Sequence, residues 1–346
     1  MRGRPRGAAA TLPKEFHPGR LRRRAAQIVA ALAVVALALL LAPGLGELRE
    51  RLAEADPAWL GLAVAFEALS GASYVLMFRP VFCPRMPWRT SWEISWSELA
   101  VGSLVPASGA GGLALGGWIL HESGMPADRI ARRSVAFFLI KSAANFIAVA
   151  VLGALLAVGL VGPDMPLWQT AAPAAAAVLV MAAVAFVPRL GPGPQPDREA
   201  GRLQRAVASA RRALVGGIAE AIGLVRARDP LILVGSLGYW VWDNAVLWAT
   251  FHAVGASPDL SVVLMGYLIG QLGGLLPLPG GLGGIDGGLF GTLVVYGAPV
   301  EATAAAVLAY RVVLFWLPLI LGGLAFASLR RGMNRRDELC VVPAAS

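Results

Sequence analysis

Two glycine- and proline-rich stretches interrupt otherwise apolar sequence: VPASGAGGLALGG at residues 105–117 and PLPGGLGGIDGG at residues 277–288. Glycine and proline weaken helices, and backbone without helical hydrogen bonds is tolerated at membrane depth only where protein buries it or where it lines a cavity. A pair of interrupted segments at corresponding places in two halves of a chain is typical of a membrane transporter's binding site. We therefore expect both stretches to lie at the functional centre of a membrane protein.

The composition of the chain supports this expectation. Of its 346 residues, 57% are hydrophobic and only 15% are charged, a balance too apolar for a soluble domain of that length. The formal net charge is +9, but the basic residues gather between apolar runs, as they do in membrane loops, so no nucleic-acid partner is expected.

Motifs of soluble enzymes and of metal sites do not occur in a suitable context. The two cysteines form no CxxC motif and the three histidines are scattered, so we predict no metal site and no cofactor. The chain has no GxSxG, HExxH or Walker motif, and the GxGxxA pattern at residues 109–114 has no βαβ unit around it. We expect no enzymatic activity.

Six apolar runs are long enough to cross a bilayer core about 30 Å thick, which takes roughly 20 helical residues. The predicted spans are residues 25–42, 59–78, 134–160, 167–187, 231–254 and 303–327. Placing the arginine-rich segments in the cytoplasm puts both termini inside. The prediction is an all-α, polytopic membrane helix bundle over residues 25–330 in a bacterial plasma membrane, with a basic cytoplasmic tail at 1–24 and a second cytoplasmic tail at 331–346.

Six spans agree with these sides only if two segments do not cross the membrane. Residues 92–120 must enter from the cytoplasm and return to it, and residues 261–296 must enter from outside and return there. Each segment is expected to be a re-entrant hairpin or a pair of short helices. The halves at about 92–160 and 261–327 then form an inverted-topology repeat. The matching residues are Pro106 and Pro277, Gly109 and Gly280, and Gly112 and Gly283.

Close helix packing is a simpler explanation of the glycines. Gly266, Gly270 and Gly274 recur every four residues, a small-residue ridge that suits tight contact between membrane helices. Packing alone does not explain why Pro106 and Pro277 hold equivalent places. At the level of sequence, both explanations remain open.

A cytoplasmic linker at residues 188–230 separates the two halves and contains an amphipathic helical pattern. Its apolar residues are Leu203, Val207, Leu214, Ile218, Ile222 and Val225, with arginines on other faces. The pattern suits a helix on the membrane surface beside anionic headgroups. It suits a linker helix that packs on the bundle equally well.

Four charged residues, Glu67, Lys141, Asp243 and Arg311, fall near the bilayer centre, where each costs about 2.5–3.5 kcal/mol on insertion scales. In one interpretation the acids and bases only neutralise each other and hold the bundle together. In the other, Lys141 and Arg311 bind an anionic lipid headgroup, arginine through a bidentate fork and lysine as a point charge. Asp286 is the strongest single candidate, because a close helix contact does not require a carboxylate.

The predicted binding residues thus comprise the charged residues and the turn residues of the two hairpins. They are Lys141, Arg311, Asp286, Asp243, Glu67, Pro106, Gly109, Pro279, Gly280 and Gly283. Weaker candidates to line a cavity are Glu98, Asn145, Asn244 and Gln271.

Residues 279–323, PGGLGGIDGGLFGTLVVYGAPVEATAAAVLAYRVVLFWLPLILGG, resemble the C-terminal half of the membrane region of lysylphosphatidylglycerol synthases and of their stand-alone, flippase-like relatives. The likeness rests on the proline-glycine hairpin, the acid at Asp286, the GxP turn at 297–299 and the YR…FWLP helix. It extends more loosely over about residues 25–330.

The resemblance implies a lipid translocase that moves a polar or anionic lipid between leaflets. The expected partners are membrane lipids with an anionic headgroup. The alternative is a non-transporting membrane scaffold, or a partner subunit, for a separate lipid-modifying transferase. A membrane-embedded enzyme is the third class.

Overall fold

The computed structural model describes residues 17–41, 46–104, 110–193, 201–271 and 284–332. Within these ranges the chain forms twelve α-helices and no strand. The predicted all-α class is therefore confirmed.

The helices follow the chain from α1 to α12, with a short 3-10 helix at Val187–Leu190 after α7. Their bounds are α1 (Pro18–Leu41), α2 (Gly46–Ala53), α3 (Pro57–Phe82), α4 (Trp88–Leu104), α5 (Ala110–Glu122), α6 (Ala127–Ala157), α7 (Leu167–Phe186), α8 (Arg202–Arg226), α9 (Pro230–Ala253), α10 (Leu260–Gly270), α11 (Gly284–Val295) and α12 (Val300–Gly332).

Each of the six predicted apolar runs coincides with a helix of 20 residues or more, namely α1, α3, α6, α7, α9 and α12. In the described part of the chain, four helices are long and apolar enough to cross a membrane: Pro57–Phe82, Ala127–Ala157, Leu167–Leu190 and Val300–Arg331. Helix α9 has 24 residues, but its tryptophans, Asp243 and Asn244 lower its mean hydropathy. The chain is a multi-pass membrane protein, and six crossings remain a prediction.

The same aspartate–proline pair starts two central helices. The carboxylate of Asp56 accepts a hydrogen bond from the N–H of Ala58 at 2.8 Å as α3 begins, and that of Asp229 accepts from Leu231 at 2.9 Å as α9 begins. A proline follows each aspartate, where its missing N–H removes a donor that would otherwise lack a partner. Local sequence therefore determines where both helices begin.

Helices α3 and α9 pack along their lengths in opposite directions. At one end the N–H of Asp56 donates to the carbonyl of Ala253, 2.8 Å away. Near the middle, the hydroxyl of Ser70 donates to the carbonyl of Tyr239 at 3.4 Å. Towards the other end, Gly235 lies so close to α3 that a side chain there would overlap its backbone. The start of each helix therefore lies beside the end of the other.

A pair of short helices precedes a long helix in each half: α4 and α5 before α6, and α10 and α11 before α12. Helices α5, α10 and α11 have 13, 11 and 12 residues. At 1.5 Å per residue they extend about 16–20 Å, less than a bilayer core of about 30 Å. Paired short helices are one of the two predicted forms, and the connecting residues 105–109 and 272–283 lie outside the described ranges.

The long helix of each half packs on the first short helix of the other half, α12 on α4 and α6 on α10. Near the end of α12, the hydroxyl of Ser328 donates to the carboxylate of Glu93 near the start of α4, at 2.7 Å. Just after α6, Gly162 faces Ser261 at the start of α10. Both contacts join the end of a long helix to the start of the opposite pair.

The predicted glycine ridge joins α10 to α11. A Cβ on Gly270 would lie 2.7 Å from the Cα of Leu289, and Gly266 faces the side chain of Leu293. Close packing therefore explains these two glycines. Gly274 lies outside the described residues.

Helix α8 is attached to the bundle through its C-terminal half. Glu220 forms ion pairs with Arg132 at 2.9 Å and Arg133 at 2.8 Å, both on α6. Leu203 and Val207 in its N-terminal half are 77% and 60% exposed. Contact with the bundle, one of the two predicted positions, is present, and a position of the exposed half on the membrane surface remains a prediction.

Candidate functional site

A polar cavity of about 150 Å³ lies where α3, α4, α9 and α12 meet. Three charged side chains line it: Glu67 of α3, Asp243 of α9 and Arg311 of α12. The other lining residues are Ser70, Gly71, Leu99, Ser103, Tyr239, Leu314 and Pro318. At roughly 30 Å³ for each water, a polar space of this size can hold about five water molecules.

The cavity lies near the middle of the long helices. By helix rise, Glu67 is about 15 Å from the first residue of α3, and Arg311 is about 16 Å from the first residue of α12. Half of a bilayer core is about 15 Å. Along both helices the cavity therefore lies about half a bilayer core from the first residue, and its depth in the membrane stays a prediction.

Glu67 and Asp243 meet because α3 and α9 are antiparallel. The hydroxyl of Ser70 on α3 donates to the carbonyl of Tyr239 on α9. Glu67 lies three residues before Ser70, and Asp243 lies four residues after Tyr239, so in antiparallel helices both acids are about one turn from this contact in the same direction. The two acids therefore occupy the same level of the seam. Each is 7% exposed.

Asp243 accepts hydrogen bonds from two tyrosines. The hydroxyl of Tyr310 on α12 donates to one carboxylate oxygen at 3.0 Å, and that of Tyr267 on α10 donates to the other. One carboxylate thereby joins three helices of the second half. Among the described residues, Glu67 has no comparable donor.

Arg311 forms an ion pair with Asp286, in the first turn of α11. Its Nε lies 2.6 Å from Oδ1 of Asp286, and Nη2 contacts the same oxygen. The sequence left open whether the buried acids and bases only neutralise each other, and it did not predict this ion pair. Asp286 is the partner because α11 packs against α12 and brings its first turn beside the guanidinium.

Lys141 of α6 lies among aromatic rings. Its Nζ is 5.4 Å from the ring centroid of Tyr239 and 5.9 Å from those of Tyr74 and Phe138. An ammonium group within about 6 Å of a ring centroid is attracted to the ring face. Within the described ranges Lys141 has no ion pair, and the interpretation in which it only neutralises the buried acids stays a prediction.

Glu98 of α4 is more central than the sequence indicated. It is 2% exposed, and its Oε2 accepts a hydrogen bond from the hydroxyl of Tyr74 at 2.8 Å. Its Oε1 has no hydrogen-bond partner in the described part of the structure. Gly116 of α5 packs so closely on this carboxylate that any side chain there would overlap it.

Sequence analysis also missed the tyrosines. Four of the five tyrosines in the chain, Tyr74, Tyr239, Tyr267 and Tyr310, contact or line this polar cluster. A phenol in an apolar membrane helix requires a hydrogen-bond partner. Tyrosines within the apolar runs could therefore have indicated a buried polar cluster from the sequence alone.

The structure therefore brings Glu67, Asp243 and Arg311 to one cavity, with Asp286 bonded to Arg311. The hairpin candidates Pro106, Gly109, Pro279, Gly280 and Gly283 lie outside the described residues. Across the described ranges no group of three or more His, Cys, Asp or Glu side chains could hold a metal ion.

Similar proteins are found by sequence comparison. One relative from Methanothermobacter thermautotrophicus, named a UPF0104 membrane protein, is 26% identical over 319 residues, which is 84% of this chain and 91% of the relative. Two further UPF0104 membrane proteins of that organism are 31% identical over 125 residues and 37% identical over 91 residues. These two matches span only 37% and 26% of the length of the respective relatives.

A family model described as the lysylphosphatidylglycerol synthase TM region matches residues 28–322. That match covers most of the chain, including the cavity and both short-helix pairs. The chain therefore belongs to the family of the lysylphosphatidylglycerol synthase transmembrane region.

Proposed function

We propose that this protein is a lipid translocase that moves a polar or anionic lipid between the leaflets of a bacterial plasma membrane, with both termini in the cytoplasm. The observation that carries the proposal is the polar cavity that contains Arg311 near the middle of the bundle. Charged side chains at that depth are costly, and in membrane proteins they mark the paths of substrates and ions.

The arrangement of the two halves supports transport. Helices α3 and α9 begin with the same Asp–Pro pair and run antiparallel, and the long helix of each half packs on the first short helix of the other. These contacts favour an inverted repeat, related by a twofold axis in the membrane plane. Transporters with such repeats place the substrate at the repeat interface near the midplane, and the cavity near the middle of the long helices suits such a site.

Arg311 and Lys141 supply the chemistry for an anionic headgroup. The guanidinium of Arg311 can form bidentate bonds with a phosphate, as it does with a carboxylate. The carboxylate of Asp286 would then compete with the lipid phosphate for the guanidinium of Arg311. It would hold Arg311 in place until a phosphate displaces the carboxylate. Lys141, held by ring faces rather than by an acid, adds a second positive charge.

Reconstitution into liposomes tests the proposal. Fluorescent phosphatidylglycerol in the inner leaflet becomes accessible to an external quencher only if the protein moves it outwards. We expect Arg311→Ala to slow this movement at least tenfold and Arg311→Lys to slow it less. Arg331→Ala is the matched control, because Arg331 lies on the same helix and is exposed.

Folded wild-type protein that moves lipid no faster than protein-free vesicles would contradict the proposal. That result would favour the alternative of a scaffold for a separate lipid-modifying transferase. A scaffold would be recognised by copurification of the transferase and by unchanged binding in the Arg311→Ala variant.

A further inference from the structure

Acids outnumber bases in the polar cluster of the described residues. The acids are Glu67, Glu98, Asp243 and Asp286, and the bases are Lys141 and Arg311. Arg311 is ion-paired with Asp286. Buried charges without compensation are strongly disfavoured, and acids in such places take up protons or bind a cation.

Glu67 is the acid that bundle stability does not explain. Asp243 has its tyrosine donors and Glu98 has Tyr74, so each joins helices. Glu67 is 7% exposed and lines the cavity, yet no hydrogen bond or ion pair to it occurs among the described residues. We therefore infer that Glu67 has a role other than joining helices.

Glu67 and Asp243 line the same cavity at the same level of the α3–α9 seam, and the cavity is large enough for water. Two carboxyl groups that share such a site do not both ionise readily, and they hold one proton between them. The other titratable or charged groups around the pair are Tyr239 on α9, Tyr267 on α10, Tyr310 and Arg311 on α12, Lys141 on α6 and Glu98 on α4.

We propose that Glu67 and Asp243 form a proton-binding site and that the protein moves a proton together with an anionic lipid. This proposal rests on the lipid translocation proposed above. In the loaded state one carboxylic O–H bond carries the proton, and the pair has a single negative charge. On release, that O–H bond breaks, a cavity water takes the proton to the bulk solution, and both carboxylates are left charged.

Arg311 links the proton to the lipid, because it lines the same cavity and forms an ion pair with Asp286. When the pair holds a proton, the guanidinium is available for a phosphate that displaces Asp286. When the proton has left, two carboxylates attract the guanidinium and weaken its hold on the phosphate. Proton and anionic headgroup are therefore bound together and released together.

The test uses liposomes that contain a pH-sensitive dye and fluorescent phosphatidylglycerol. We expect acidification of the side from which lipid starts, by one pH unit, to raise the rate of lipid movement at least threefold, with proton movement in the same direction. Glu67→Gln should abolish both the acceleration and the proton movement while lipid still equilibrates slowly at equal pH. Glu301→Gln, on the exposed first turn of α12, is the control and should behave as wild type.

The outcomes separate this proposal from the proposed function. If the wild type moves lipid at a rate independent of the pH gradient and without proton movement, proton coupling is overturned. Lipid translocation then still stands. A gradient response that survives both Glu67→Gln and Asp243→Asn overturns the assignment of the site. Asp243→Asn also serves as the second variant if Glu67→Gln does not fold.

Absence of any lipid movement refutes the proposed function, and infrared spectroscopy then decides the proton site. The purified wild type should show the C=O band of a protonated carboxylic acid near neutral pH, shifted in deuterium oxide. Glu67→Gln and Asp243→Asn should each change that band. A wild-type spectrum without it overturns the proton-binding site.

Discussion

Replacing Arg311 with alanine should destabilise the protein by leaving Asp286 without its cation. The side chains of Arg311 and Asp286 are only 11% and 23% exposed, and breaking a fully buried pair costs about 3–5 kcal/mol. Asp286 retains some contact with water and lies in the first turn of α11, where the helix dipole stabilises a carboxylate by about 0.3–1 kcal/mol. We therefore expect a loss of about 2–3 kcal/mol in the free energy of unfolding.

A double-mutant cycle measures this pair directly. The free energy of unfolding is determined by detergent denaturation for the wild type, Arg311→Ala, Asp286→Ala and the double variant. The double variant should be more stable than Arg311→Ala, because no unpaired charge is left. We expect a coupling energy of about 1–3 kcal/mol, whereas single effects that add to within about 0.5 kcal/mol would refute the reasoning.

Lipid movement in the same four proteins separates structure from function. If Arg311 also binds phosphate, the double variant should be folded and still unable to move fluorescent phosphatidylglycerol. Lipid movement at the wild-type rate in the double variant would show that Arg311 only neutralises Asp286.

Further predictions concern helix packing, the buried polar cluster and topology. Gly270→Val should lower the free energy of unfolding by about 1–3 kcal/mol, because the new side chain overlaps α11. Gly291→Ala, at a position with open space around it, should not destabilise the protein. Equal effects of the two changes on detergent melting would contradict the packing of α10 on α11. Tyr267→Phe should cost about 1 kcal/mol by removing a buried hydrogen bond, and an unchanged unfolding curve would contradict its role. Cysteines at Ala107 and Leu278 should be labelled from opposite faces of the membrane, and labelling of both from one face would contradict the inverted repeat.

Hydropathy and helix-capping residues are local properties, so the positions of most helices could be predicted. A helix in a bilayer satisfies its own backbone hydrogen bonds, and about 20 apolar residues are needed to cross the core. The six predicted runs accordingly coincide with long helices. Asp56 and Asp229 precede two of them and accept the bonds that cap their first turns.

Charged residues in apolar helices were also visible from sequence, because each is costly enough to require a partner or a function. Helix rise placed Glu67, Asp243 and Arg311 at similar depth, and all three line one cavity. Their roles in binding remain predictions.

Which side chains pair was decided only by the tertiary structure. Arg311 pairs with Asp286, because α11 packs on α12, and Glu67 shares a cavity with Asp243, because the register of α3 against α9 places them level. Depth along a helix follows from counting residues, but rotation and register depend on contacts between segments far apart in sequence. For that reason the sequence by itself determined the helical membrane class and the presence of charged residues within the apolar helices. Helix packing determined that Glu67 lies in the cavity without a hydrogen-bond donor from the described residues.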